Sequence, residues 1–119
     1  MLIFRQLFDE RSSTYTYLLG DRETGEAVLI DPVFEQVNRD LALIHELCLS
    51  LKAVLDTHCH ADHITALGEL RERTGCATLA GEHSEMACVS EFFKDGGIIN
   101  VGALALQAIY TPGHTDDSY

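Results

Sequence analysis

The order of apolar and polar positions divides the 119-residue chain into alternating strand-like and helix-like segments. LIFRQLF at 2–8 and TYTYLL at 14–19 are rich in aromatic and β-branched residues and flank a polar turn at Asp9–Ser13, which predicts a hairpin. After a polar turn at Gly20–Gly25, AVLI at 27–30 is a continuous apolar run, the pattern of a strand covered on both faces. Asp31-Pro32 ends it. Val37, Leu41, Ile44 and Cys48 then repeat at helical spacing. AVL at 53–55 predicts a short buried strand that runs into the histidine-rich stretch THCHADH at 57–63. Beyond it Ile64, Leu67 and Leu70 mark a helix whose charged side, Glu69–Arg73, reads as a solvated face, and Thr74-Gly75 stops it. CATLA at 76–80 predicts a strand, Glu82–Val89 a short helix, and GIINV at 97–101 with LALQAIY at 104–110 a strand pair turning at Gly102. Met86, Phe92 and Phe93 have the character of core or cover residues.

Antiparallel strands followed by helix–strand–loop–helix–strand make an α/β arrangement with a mixed sheet and flanking helices. Such sheets place ligand sites outside the carboxyl ends of their strands, and the histidine loop follows a strand. The length predicts one domain.

Charge changes the picture. A formal net charge of −11 repels phosphate backbones, so nucleic acid is not an expected partner. An anionic substrate would need a local positive centre, for which a metal ion is a candidate. No apolar run has the length of a membrane span, and MLIFRQLFDE reads as a first strand rather than a signal peptide. Cys48, Cys59, Cys76 and Cys88 form no CxxC pair, which excludes a zinc ribbon or thioredoxin-type site. They read as reduced thiols, and the expected location is cytoplasmic.

The chemistry concentrates in residues 57–63. His58, His60 and Asp62 are spaced i, i+2, i+4, so an extended loop would turn all three toward one point, with Cys59 facing away and His63 facing elsewhere. Four titratable groups this close repel one another when protonated and cost desolvation when buried. A bound cation removes both problems. Imidazole with carboxylate suits zinc, iron or manganese rather than calcium or magnesium. In TPGHT at 111–115, Pro112-Gly113 forces a turn and His114 sits on it, a further candidate ligand from a second loop. Asp31 either supports the metal ligands from behind or is only a turn residue. His45 and His83 read as ordinary polar side chains.

THCHADH followed by TPGHT, with LIDP at 29–32 upstream, resembles the signature of the metallo-β-lactamase fold. Within that superfamily the text is most similar to the persulfide dioxygenases, through FRQLFDERSSTYTYLLGD at 4–21, AVLIDPV at 27–33, RDLALIHEL at 39–47 and THCHADHIT at 57–65. The resemblance implies an αββα sandwich of which this chain is about the N-terminal half. It implies a non-haem Fe(II) enzyme oxidising glutathione persulfide with O2 to sulfite and glutathione. It maps two iron ligands onto His58 and His114, and places His60, Asp62 and His63 where the related hydrolases complete a second metal site and the dioxygenases surround the iron. Two histidines and a carboxylate on one face of an iron leave positions open for substrate sulfur and O2.

In that family the carboxylate ligand comes one strand–turn–strand unit after the PGHT motif, beyond Tyr119, as do the residues that hold glutathione. The chain is therefore expected to be one incomplete domain spanning 1–119: a piece of a longer protein, a shortened relative that has lost catalysis, or a unit that completes its site as a homo-oligomer. Asp116 and Asp117 could substitute for the carboxylate only through a sharp bend. A half-sandwich leaves a sheet surface uncovered, so marginal stability or self-association is expected. The competing activities are a zinc thioester hydrolase of the glyoxalase II type and a non-catalytic metal-binding or interaction module.

Overall fold

The computed structural model describes residues 1–58, 65–84, 89–113 and 115–119. Eight strands and two α-helices are present among them: β1 (Leu2–Asp9), β2 (Thr14–Asp21), β3 (Glu26–Ile30), α1 (Val37–Glu46), β4 (Ser50–Leu55), α2 (Leu67–Thr74), β5 (Ala77–Gly81), β6 (Glu91–Phe93), β7 (Ile98–Val101) and β8 (Leu104–Gln107). The first six form one sheet in chain order, and β7–β8 form a separate hairpin. β1–β2–β3 pair antiparallel, whereas β3–β4–β5–β6 run parallel. This is the mixed sheet that the sequence predicts.

The alternation of side chains along each strand sorts the core into two faces. Leu18, Ala27, Leu29 and Val54 point to one side and pack with Val37 and Ile44 of α1 and Leu67 and Leu70 of α2. Val28, Leu55, Leu79 and Phe93 point to the other and meet Val101 and Ala108 from the hairpin segment. Ala27, Val28 and Leu29 are all fully buried, which is why this strand has no polar alternation. Each buried leucine contributes roughly 1.5–3 kcal/mol by leaving water. A link between the two helices comes from Arg73, whose guanidinium donates to Asn38 Oδ1 at 2.9 Å.

Several expectations shift. Cys48 does not belong to the α1 stripe: the helix ends at Glu46, and Cys48 is exposed with φ 57°. The strand expected at 53–55 begins at Ser50, because its edge positions are polar and its inward positions apolar. The strand expected over 104–110 ends at Gln107. In the predicted helix over 82–89, Glu82–Ser84 and Val89 are not helical, and 85–88, including Met86, lie outside the described residues. The three-residue β6 has too short a pattern to be read from sequence. Phe93 is buried there and Phe92 is exposed. Gly75 does cap α2, in the left-handed conformation at φ 74°.

Candidate metal centre

The carboxyl ends of β3, β4 and β5 gather at one edge of the sheet. Asp31 follows β3, Asp56-Thr57-His58 follows β4, and Gly81 closes β5. Two segments of the sequence hold the residues that border the histidine loop.

The first is the LIDPV stretch, which fastens the loop at both ends. At the near end, Thr57 N–H donates to Asp31 Oδ1 at 2.7 Å and the Thr57 hydroxyl donates to Asp31 Oδ2 at 2.8 Å. At the far end, Val33 and Thr65 form an antiparallel bridge, and Ala66 N–H donates to the Pro32 carbonyl at 3.3 Å. Asp31 is itself over-determined. Its N–H donates to the Leu55 carbonyl at 2.8 Å, and its own carbonyl accepts the Thr16 hydroxyl at 2.8 Å. It adopts φ 55°, a left-handed conformation uncommon outside glycine although aspartate tolerates it better than most. A buried carboxylate in this conformation grips the residue that opens the histidine loop.

The second is the segment that carries TPGHT. Tyr119 N–H donates to the Thr57 carbonyl at 2.9 Å, and Thr111 N–H donates to the Ser118 carbonyl at 2.9 Å. The 111–119 turn is thereby closed on itself and tied to the start of the histidine loop. The Tyr119 ring lies over Gly81, meets Phe93 edge-on at 4.9 Å and sits 5.1 Å from Tyr110. Burial first, and then the negative charge of Glu82, push the Tyr119 phenol above its ordinary range. Beside it, His83 stacks on Tyr110 at 4.3 Å, while His45 is exposed on α1.

His58 is half-buried, and its Nδ1 lies 2.9 Å from the Thr57 hydroxyl oxygen. His60, Asp62, His63 and His114 lie outside the described residues, as does Cys59. Among the described residues no three His, Cys, Asp or Glu side chains converge as a metal site. Asp116 is exposed; Asp117 is buried and accepts the Thr115 hydroxyl at 2.5 Å. An apolar hollow of about 220 Å³ opens beside Thr57 between Ile30, Leu55, Phe93, Ile99 and Tyr119. The larger hollow, about 540 Å³ around Lys52, Phe92 and Ile98, lies toward the amino ends of β4 and β5 and away from the loops.

Thr57 and Tyr119 were not singled out from the sequence. Thr57 immediately precedes the first histidine at the end of a strand, and that position is the available signal. Tyr119 gives none, because its role is set by a backbone bond.

A mixed sheet with this loop clamped at its carboxyl edge is the arrangement of the metallo-beta-lactamase superfamily; residues 9–119 match it, and the chain belongs to it. The likeness to the persulfide dioxygenases is also borne out. The chain is 49% identical over 115 residues to the mitochondrial persulfide dioxygenase ETHE1 of Bos taurus, covering 96% of this chain and 45% of the relative. The crystal structure of ETHE1 from Myxococcus xanthus superposes with a TM-score of 0.94 at 56% identity, covering 98% of this chain and 51% of that one. A hydroxyacylglutathione hydrolase of Thermosynechococcus vestitus is 31% identical over 118 residues, covering 97% of this chain and 45% of the relative. The chain thus spans about half the length of these relatives. Among the described residues no helix is long and apolar enough to cross a membrane.

Proposed function

We propose that this chain carries the metal-binding half of a non-haem iron dioxygenase that oxidises glutathione persulfide with O2 to sulfite and glutathione. The observation that carries the reading is the clamp on the histidine loop. A buried carboxylate, Asp31, orients the residue before His58, and the 111–119 turn is tied to the same point. His58 and His114 would hold the iron. His60, Asp62, His63 and Asp31 would surround and support it. The carboxylate ligand and the glutathione-holding residues are assigned to sequence that the twofold longer relatives carry beyond the matched part. The donor chemistry fits: neutral imidazoles backed by hydrogen-bonded carboxylate suit iron or zinc. Iron, when bound, supplies the electrons that O2 chemistry on a persulfide requires. The chain's own residues orient the ligands, and the hollow beside Thr57 presents a largely apolar wall.

Identity to the hydroxyacylglutathione hydrolase, with the two loops it shares, supports a zinc thioester hydrolase as the second reading. The higher identity to the dioxygenases favours the first. Cys48 and Cys76 are free thiols, in keeping with the reducing, cytoplasmic location inferred from sequence, although the mammalian relatives are mitochondrial by name. The test is O2 uptake with glutathione persulfide by iron-loaded chain, alone and with the carboxyl-terminal half of the Myxococcus xanthus protein added. Uptake with sulfite formation in the mixture, and none by the chain alone, is expected. Cleavage of S-lactoylglutathione without O2 uptake would overturn the reading in favour of the hydrolase.

A further inference from the structure

The Thr57 hydroxyl stands between a carboxylate and an imidazole, and the chemistry of its two neighbours fixes which way its proton points. An ionised carboxylate only accepts hydrogen bonds. Asp31 Oδ2, 2.8 Å away, therefore takes the single hydroxyl proton of Thr57. The hydroxyl oxygen is left as an acceptor. His58 Nδ1, 2.9 Å from that oxygen, must then be the donor. A neutral imidazole carries one proton, so placing it on Nδ1 leaves the lone pair on Nε2. The geometry points to Thr57 as a positioning residue that, with Asp31, sets the tautomer of His58 and so presents Nε2 as the metal-binding nitrogen.

The arrangement is rigid as well as directional. Asp31 Oδ1 also holds the Thr57 N–H at 2.7 Å. The two carboxylate oxygens thus grip Thr57 at its N–H and at its hydroxyl. Asp31 in turn is pinned from β2 and β4 through Thr16 and the Leu55 carbonyl. The direction of the relay thus originates in the sheet and ends at the ring. This assignment rests on the reading of His58 as a ligand for its purpose, while the tautomer itself is a property of the metal-free chain.

Two isosteric substitutions separate direction from structure. In Asp31→Asn, the amide oxygen at the Oδ1 position still accepts the Thr57 N–H. The amide nitrogen at the Oδ2 position is a donor. It would donate to the Thr57 oxygen, turn the hydroxyl proton toward His58 Nδ1 and move the imidazole proton to Nε2. In Thr57→Val the relay is cut without change of shape, and Thr57→Ser restores it. The readout is the pair of His58 ring-nitrogen shifts in long-range proton–nitrogen NMR spectra of metal-free, nitrogen-15-labelled chain, assigned with His58→Gln. The proposal expects the Nδ1–H tautomer in the parent and Thr57→Ser, its loss in Thr57→Val, and Nε2–H in Asp31→Asn. Zinc affinity measured in parallel is expected to fall about 10- to 100-fold in Thr57→Val and Asp31→Asn and to recover in Thr57→Ser. An Nε2–H parent, or a folded Asp31→Asn that keeps the Nδ1–H tautomer, overturns the proposal. The expected tautomers in a parent that binds no metal would leave the relay standing and sink the metal-centre reading instead.

Discussion

Replacing Gly81 with alanine disturbs the join between the two loops at one atom. Gly81 ends β5, and a Cβ there would stand 2.0 Å from Cε1, 2.4 Å from Cδ1 and 2.9 Å from Cζ of Tyr119. Three such approaches cannot be relieved by a small adjustment, so the ring must leave. It cannot slide far within its place, since Phe93 and Tyr110 flank it at 4.9 and 5.1 Å. A displacement that extends to the Tyr119 backbone disturbs the bond it donates to the Thr57 carbonyl. Overpacking of this kind costs about 1–3 kcal/mol, and a lost hydrogen bond about 0.5–1.5 kcal/mol. The helix-side core does not include Tyr119, so the variant should still fold. If the 111–119 segment is loosened by about 1 kcal/mol, and His114 in it is a ligand, metal affinity falls about fivefold. Competition of zinc with a chelating dye, run beside thermal melts, measures this. Adding Tyr119→Ala removes the clashing ring but keeps the backbone bond, and it should restore most of the affinity. A folded Gly81→Ala variant that binds zinc as tightly as the parent would refute the claim that Tyr119 holds the second loop to the first.

Three further outcomes follow from the charged and aromatic groups. Asp9 accepts the Ser12 hydroxyl and the Gln36 amide, which lower its pKa from 3.8 to about 2; its stabilisation is present above the ordinary carboxyl value and lost as pH falls through about 2. Denaturant melts of Asp9→Ala should therefore show a deficit at pH 7 that shrinks toward pH 2, and a constant deficit would contradict the assignment. Asp40 has the opposite sign: burial raises its pKa despite the Arg39 guanidinium 3.0 Å away, so stability drains away as pH rises from the ordinary carboxyl value through the raised one. Asp40→Asn should remove that slope above the ordinary carboxyl value, whatever its effect on absolute stability, and an unchanged slope would count against it. Phe4, Phe8 and Tyr15 lie on one side of β1–β2, each about half exposed, with Phe8 and Tyr15 ring centroids 5.0 Å apart. Self-association through this face should appear in sedimentation velocity and weaken in a Phe8→Ser, Tyr15→Ser variant; a parent that stays monomeric at all concentrations would show that the face needs no cover.

The strands that the sequence made legible are those whose side-chain pattern is decided by burial on two faces. AVLI at 27–30 packs Ala27 and Leu29 toward the helices and Val28 toward the hairpin, and its apolar run says so directly. The antiparallel opening, the αL stop at Gly75 and the turn at Gly102 were legible for similar reasons of local conformation. β6 was not, since three residues cannot establish a period, and Cys48 was misplaced because helical spacing continues in the sequence after the helix has stopped. At the site, the histidines and the PGHT turn were legible as ligand chemistry, and Asp31 as either of two things. What the structure adds is its carboxylate contacts to Thr57. The hydrogen bonds of Thr57 and the backbone tie from Tyr119 depend on tertiary proximity, which no local pattern encodes.

The proposed function stands on iron held by His58 and His114. Its most direct test is iron and zinc content per chain, on protein purified without oxygen or chelator, beside His58→Ala and His114→Ala. About one iron per chain is expected in the parent and a loss in both variants. Metal content in the parent no higher than in a variant lacking both histidines would contradict it, and zinc in place of iron would transfer the site to the hydrolase reading.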